Sequence, residues 1–153
     1  MNQVYWVTHK LGFSGHQNLY DAGQLQAMGI GAILNTTQRP DPKWPPPIVG
    51  LNDPAKDDGL PKPVVWFGRG ITFTRRYMLH TRVLIHCEAG INRSPAMTYA
   101  VLRSLGNSPE ESVIMIHRAR GEANPFKYQH DAEQALQSLG FTHADVSEEA
   151  SSN

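Results

Sequence analysis

The chain carries a single cysteine, Cys87, in 153 residues. No disulfide can close within such a chain, and a lone thiol fits a reducing compartment. It also lacks an excess charge of either sign, with 14 Lys and Arg against 14 Asp and Glu. No global field therefore steers it to nucleic acid or to an anionic membrane. No apolar run approaches the ~20 residues of a membrane span. The opening MNQVYWVTHK lacks the apolar core of a secretory signal. The cytoplasm is the expected location, with neither membrane nor nucleic acid among the expected partners. Seven scattered histidines show no ligand spacing, so no metal and no cofactor are expected. No internal repeat is present. What remains is 40% hydrophobic and 18% charged, the balance of a globular domain long enough for a real core.

The patterning alternates between strand and helix. Residues 4–7 and Ile30–Asn35 read as short strands, and residues 18–28 as a helix stopped by Gly29. Between Arg39 and Pro63 lie eight of the eleven prolines, so that segment reads as ordered loop with a possible strand at residues 48–51. A helix is expected from Pro63 to about His80, with Phe67, Ile71, Thr74 and Met78 on one face. Most charges on it, including Arg69, Arg75 and Arg76, read as a solvated face. Arg82–His86 is a β-rich run leading to the cysteine. Beyond Arg93 the spacing of Met97, Ala100, Val101 and Leu105 is helical. Ser108, Pro109 and Glu111 form a capping box for a helix to about Arg120. Asn124 to Phe126 opens another, with Ala132, Ala135, Leu136 and Leu139 buried and Gly140 as its stop. These elements predict an α/β fold with a small central mixed sheet flanked by helices. Residues 1–141 form one domain in this reading, and residues 142–153 an acidic, frayed tail.

The stretch His86-Cys87-Glu88-Ala89-Gly90-Ile91-Asn92-Arg93-Ser94 lies between the predicted strand and helix. A lone cysteine after a buried strand is ordinarily a small core hydrophobe. Here Gly90 permits a sharp turn. Successive amides in such a turn converge on an anion, the helix start adds positive potential, and Arg93 adds a planar fork for two oxygens. A tetrahedral dianion suits that cup. The same field favours the thiolate over the thiol and makes Cys87 the candidate nucleophile. Ser94 can hydrogen-bond the sulfur as it leaves, and His86 is expected to order the loop by hydrogen bonds.

This stretch resembles the phosphate loop of cysteine-dependent protein phosphatases: His-Cys, five residues, Arg, then Ser or Thr. The short chain is similar to their compact dual-specificity group, including its bacterial form. LQAMGIGAILN, DDGLPKPVVWF and IHRARGEANPF are like that group's early helix and strand, acid loop and late helix. The resemblance implies metal-independent phosphomonoester hydrolysis through a cysteinyl-phosphate. Cys87 is then the nucleophile, residues Glu88, Ala89, Gly90, Ile91, Asn92 and Arg93 bind phosphate, Ser94 assists the leaving sulfur, and an aspartate about thirty residues upstream is the general acid. The position just before the glycine of DDG favours Asp58, with Asp57 and then Asp53 behind it. Phosphorylated protein side chains or small phosphomonoesters are the implied substrates. An RNA 5′-triphosphatase and a phosphate-binding pseudophosphatase are the alternatives. The first needs extra cations, and the second usually lacks the nucleophile or the arginine. A sulfur-transfer domain of the rhodanese type would not need His86, Ser94 or an upstream acid.

Overall fold

The computed structural model describes residues 3–16 and 21–141. In chain order the strands are β1 (Tyr5–Trp6), β2 (Leu11–Ser14), β3 (Ile30–Asn35), β4 (Val49–Asn52) and β5 (Arg82–His86). The helices are α1 (Ala22–Ala27), α2 (Val64–Met78), α3 (Arg93–Ser104), α4 (Pro109–Ala119) and α5 (Gln129–Ser138), the last entered through a 3₁₀ turn at Pro125–Tyr128. The expected tail, 142–153, lies outside the described residues. No helix among those described is long and apolar enough to cross a membrane.

Local chemistry sets the helix ends. Asp21 and Gln24 form a reciprocal capping box, which starts α1 at Ala22. Ser108 and Glu111 do the same for α4, with Pro109 in its first turn. Pro63 is the N-cap of α2 rather than its first helical residue. β2 carries no alternating signal that the sequence reveals, because Gly12 interrupts a run of four. Gly12 is required there by packing: a Cβ would stand 2.7 Å from Val4 Cγ1 and 2.9 Å from Trp6 Cε3.

The sheet order is β1-β2-β5-β3-β4, with β1 antiparallel to β2 and the remaining neighbours parallel. It is thus a mixed five-stranded sheet with helices on both faces. Alternation along the strands divides the core. Ile33 and Leu84 pack toward α1 with Leu25 and Ile48. Leu34, Val83, Ile85 and Phe13 pack the other way, against α2, α3 and α5. Every residue of α3 is buried, so this helix runs through the middle of the thicker layer. Leu105 and Leu139, expected in the core, sit at the helix C-caps and are 45% and 39% exposed.

The register carries the functional consequence. Ser14 pairs with His86, His86 with Asn35, and Asn35 with Asn52. The last residues of four parallel strands therefore lie in one row at the carboxyl edge of the sheet, where ligands of such sheets bind. Cys87 is the next residue after that row.

Candidate active site

The 86–94 loop is held from outside, carbonyl by carbonyl. Thr36 donates to His86 O through its amide at 2.9 Å and its hydroxyl at 2.7 Å. Cys87 N donates to Ser14 O at 3.1 Å, and His16 N donates to Glu88 O at 2.9 Å. Arg120 Nη1 donates to Ala89 O at 2.9 Å and to Gly90 O at 3.2 Å. Asn124 N donates to Ile91 O at 2.7 Å, and Ala96 N to Asn92 O at 2.9 Å. Since a peptide's C=O and N–H point in opposite directions, the outward-bound carbonyls of Glu88, Ala89, Gly90 and Ile91 turn the amides that follow them inward, while the Cys87 amide is spent on Ser14 O. This is the physical origin of the anion nest. Gly90, at φ 71°, supplies the left-handed turn.

Cys87 lies on the floor and is 2% exposed. Gly90 N donates to its Sγ at 3.2 Å, and Ser94 Oγ is 3.1 Å from the same sulfur. Ser94 is fully buried. Asn92, the N-cap of α3, makes no side-chain cap, so that helix start is left open toward the loop. Arg93 is buried in the first turn; its Nη1 donates to Ala55 O at 2.6 Å, and its Nε has no hydrogen-bond partner among the described residues. The structure thus brings Cys87, Arg93, Ser94 and the Glu88 to Asn92 backbone together around one cup.

His86 is buried behind the nucleophile. Its Nε2 lies 2.9 Å and 3.0 Å from the two carboxylate oxygens of Asp41, and its Nδ1 is 3.5 Å from Cys87 O. Asp41 is itself placed by the sheet edge. Its amide donates to Asn52 Oδ1, which also accepts from Asn35 Nδ2, while that Nδ2 donates to Arg39 O. At the rim, Arg39 makes a two-pronged ion pair with Glu88, at 3.0 Å and 2.6 Å, which holds the Glu88 carboxyl below the usual range.

The three candidate aspartates separate clearly. Asp58, which the sequence favours, has Oδ1 occupied by Lys62 Nζ at 2.8 Å and Leu60 N at 3.0 Å. The Lys62 bond, then the Leu60 amide, hold its carboxyl below the usual range. Asp58 is the turn former of this segment. Asp57 instead accepts from Asn92 Nδ2 of the 86–94 loop at 3.0 Å, and from Lys127 Nζ at 2.8 Å and Tyr128 OH at 2.7 Å. Burial pushes the Asp57 carboxyl up, but these three donors outweigh it and bring it to about 2. Among the described residues, Asp57 alone of the three hydrogen-bonds the loop. Asp53 is fully buried at the end of β4, paired with Arg69 at 2.7 Å, and burial raises it to about 6 despite that pair. Arg69 is thus not simply solvated, and Arg75 donates to Ser104 O at 3.1 Å.

Asp41, Arg120 and Asn124 escape a reading of the sequence, since each reaches the loop from a distant segment. A Pro-rich loop and the turn after a helix mark where to look, but not what they touch.

No family model matches the chain. It is 31% identical over 121 residues to mouse dual specificity protein phosphatase 2, covering 75% of this chain and 36% of that protein. It is 28% identical over 104 residues to human dual specificity protein phosphatase 16, covering 66% of this chain and 16% of that one. The chain therefore spans well under half the length of these curated relatives. Among solved structures, a mouse putative dual specificity phosphatase complexed with zinc tungstate matches with a TM-score of 0.80 at 21% identity, over 90% of this chain and 91% of that one. DUSP15 matches with a TM-score of 0.78 at 23% identity over 95% of each. These structures share the fold described above.

Proposed function

We propose, on the premise that this chain belongs to the dual-specificity type of the protein tyrosine phosphatase superfamily, that it hydrolyses phosphomonoesters through a cysteinyl-phosphate, with phosphorylated protein side chains as its substrate class. The observation that carries the reading is the sulfur of Cys87 on the floor of a cup whose carbonyls are bound outward and whose flank is Arg93. Tungstate, held by the mouse relative, is a tetrahedral oxyanion of the kind such a cup accepts.

In the first step the Cys87 thiolate attacks phosphorus and the bond to the leaving oxygen breaks. Asp57 supplies that oxygen's proton. Arg93, whose Nε has no partner among the described residues, and the inward amides hold the equatorial oxygens, most strongly as their charge builds. In the second step a water attacks phosphorus, its proton returns to Asp57, and the sulfur departs with a hydrogen bond from Ser94 Oγ. A carboxyl near 2 is ionised at neutral pH, so the proton must be gained when substrate binds. A phosphate dianion beside Asp57 raises it, as any like charge does. Asp57 and not Asp58 takes this role because it is the one poised at the loop.

At the rim, the two-pronged pair with Glu88 neutralises Arg39. That balance favours a monoester over a polyphosphate and gives the RNA 5′-triphosphatase alternative no support. The lone thiol fits the cytoplasm, where it stays reduced.

The test is hydrolysis of p-nitrophenyl phosphate in EDTA, by the wild type and by Cys87→Ser. Turnover that survives EDTA, disappears in Cys87→Ser and is inhibited by vanadate is expected. The variant should still bind vanadate, since amides and Arg93 remain. Substantial turnover by Cys87→Ser would overturn the covalent mechanism, and loss of activity in EDTA would point to a metal.

A further inference from the structure

We infer that Arg120 is a positioning residue of the phosphate loop, one that aims a single peptide N–H at the sulfur of Cys87. The inference rests on the proposed phosphatase reading for its kinetic consequence, but not for its geometry.

Arg120 is the C-cap of α4, with an extended backbone at φ −151° and ψ 108°. That conformation turns the chain out of the helix, toward the loop. Its amide donates to Ile116 O and its carbonyl accepts from Ala123 N, so the backbone is fixed on both sides. The side chain is 18% exposed, with the guanidinium carbon 4.7 Å from the centre of the Tyr5 ring. From there Nη1 donates to Ala89 O and Gly90 O. Among the described residues Nη2 reaches only the exposed Glu122, at 3.5 Å. The two loop carbonyls are therefore the short contacts this guanidinium makes.

Gly90 leaves room for that contact. A Cβ on it would stand 2.8 Å from Arg120 Nη1, 2.8 Å from Gly15 N and 2.9 Å from Ser14 C, so the positive φ and the close approach of the β2 end require the glycine and the arginine packs into the space it leaves. The Ala89–Gly90 peptide is a rigid plane. Its oxygen is held by Arg120 at 2.9 Å, and its N–H, on the other side, donates to Cys87 Sγ at 3.2 Å. Fixing one end of the plane fixes the other. A cation on the carbonyl also polarises the amide and strengthens its N–H as a donor, as bonds in series do. Arg120 thus acts on the sulfur without touching it, through one peptide group. Asn124 N on Ile91 O continues the same clamp by a main-chain bond that no side-chain change removes.

Because Cys87 is the only thiol, iodoacetamide reads its state directly in the whole protein. In Arg120→Met, alkylation at pH 6.5 should slow about tenfold, because the Gly90 N–H that donates to the sulfur is no longer aimed at it. The kcat on p-nitrophenyl phosphate should fall about 10–100-fold, with KM little changed, because a misaimed donor fails mainly in the transition state. Arg120→Lys should fall between, since an ammonium holds one carbonyl less firmly than the fork does. A merely structural arginine predicts the opposite sign: a loosened loop exposes the thiol, and alkylation quickens. Unchanged or faster alkylation in folded Arg120→Met overturns the inference. If Arg120→Met does not fold by circular dichroism, Arg120→Lys carries the test, and a wild-type rate there overturns it. Failure of both variants to fold also overturns it, making Arg120 a scaffold residue. If the wild type hydrolyses no phosphomonoester yet alkylation slows as stated, the proposed function fails and the role of Arg120 stands.

Discussion

At the scale of single residues, two adjacent aspartates have been given different work by their neighbours. Asp58 closes a turn onto Leu60 N and binds Lys62, whereas Asp57 reaches across to Asn92 of the phosphate loop. Asp57→Asn should therefore slow hydrolysis of a poor leaving group such as phosphoserine by about 10²–10⁴, and that of p-nitrophenyl phosphate by much less. Asp58→Asn should leave both within a few-fold of wild type. Parallel kcat/KM measurements on the two substrates check this. A leaving-group-dependent loss in Asp58→Asn, with Asp57→Asn mild, would return the acid to Asp58. The sequence could not separate them, because DDG presents two carboxylates one residue apart, and only the contacts from Asn92, Lys127 and Tyr128 break the tie.

At the scale of elements, the acid loop between β4 and α2 is tied at both ends. The turn before α5 holds Asp57 through Lys127 and Tyr128, and α2 holds Asp53 through Arg69. Removing Lys127 takes away the strongest donor to the Asp57 carboxylate, so burial raises that group from about 2. A group that must be protonated then stays so to higher pH. The basic limb of the kcat profile of Lys127→Ala, which reports the acid in the substrate complex, should move to higher pH; an unmoved limb would mean that Lys127 does not tune the acid. Asp53 has the opposite linkage. Its folded value of about 6 lies above the ordinary 3.8, so the folded state binds the extra proton between these values. Its contribution to stability is full below about pH 4 and is lost as pH rises through about 6. Relative to wild type, Asp53→Asn should therefore gain stability on going from pH 4 to pH 7.5, by on the order of 1–3 kcal/mol. Urea denaturation at the two pH values measures it, and a constant difference would show that Asp53 titrates normally.

At the scale of the whole molecule, α3 is both the helix that opens on the 86–94 loop and the fully buried axis of the thicker layer. Its far end carries Arg103, fully buried and paired with Glu133 of α5 at 2.6 Å and 2.8 Å; Tyr99 OH donates to the same carboxylate at 2.8 Å. Burial, and then Glu133 as an acceptor, keep the Tyr99 hydroxyl protonated well above its usual range. Glu133→Ala would leave the Arg103 charge buried with its main partner gone, at a cost of about 3–5 kcal/mol. Glu133→Gln, which keeps the acceptor but not the charge, should lose less. Chemical denaturation of the two variants checks the order. Equal, small losses would mean that the pair is not what fixes α3 against α5.

The strands Ile30–Asn35 and Arg82–His86, the capping box at Ser108 and the clustering of Cys87, Arg93 and Ser94 in one turn can all be read from the chain, because each is local: a β-rich run, a spacing of three, a turn of seven residues. β2 cannot, since its glycine is demanded by Val4 and Trp6 across the sheet rather than by its own neighbours. Nor can the partner of His86, which arrives from Asp41, 45 positions away, nor the clamp of Arg120, about 30 positions from the carbonyls it holds. Local sequence determined that a thiol stands in a turn between a strand and a helix. Parallel register set the ends of four strands in one row beside it, contacts from Asn92, Lys127 and Tyr128 decided which aspartate faces the loop, and Arg120 clamps its outer carbonyls, all contacts between segments that only folding brings together.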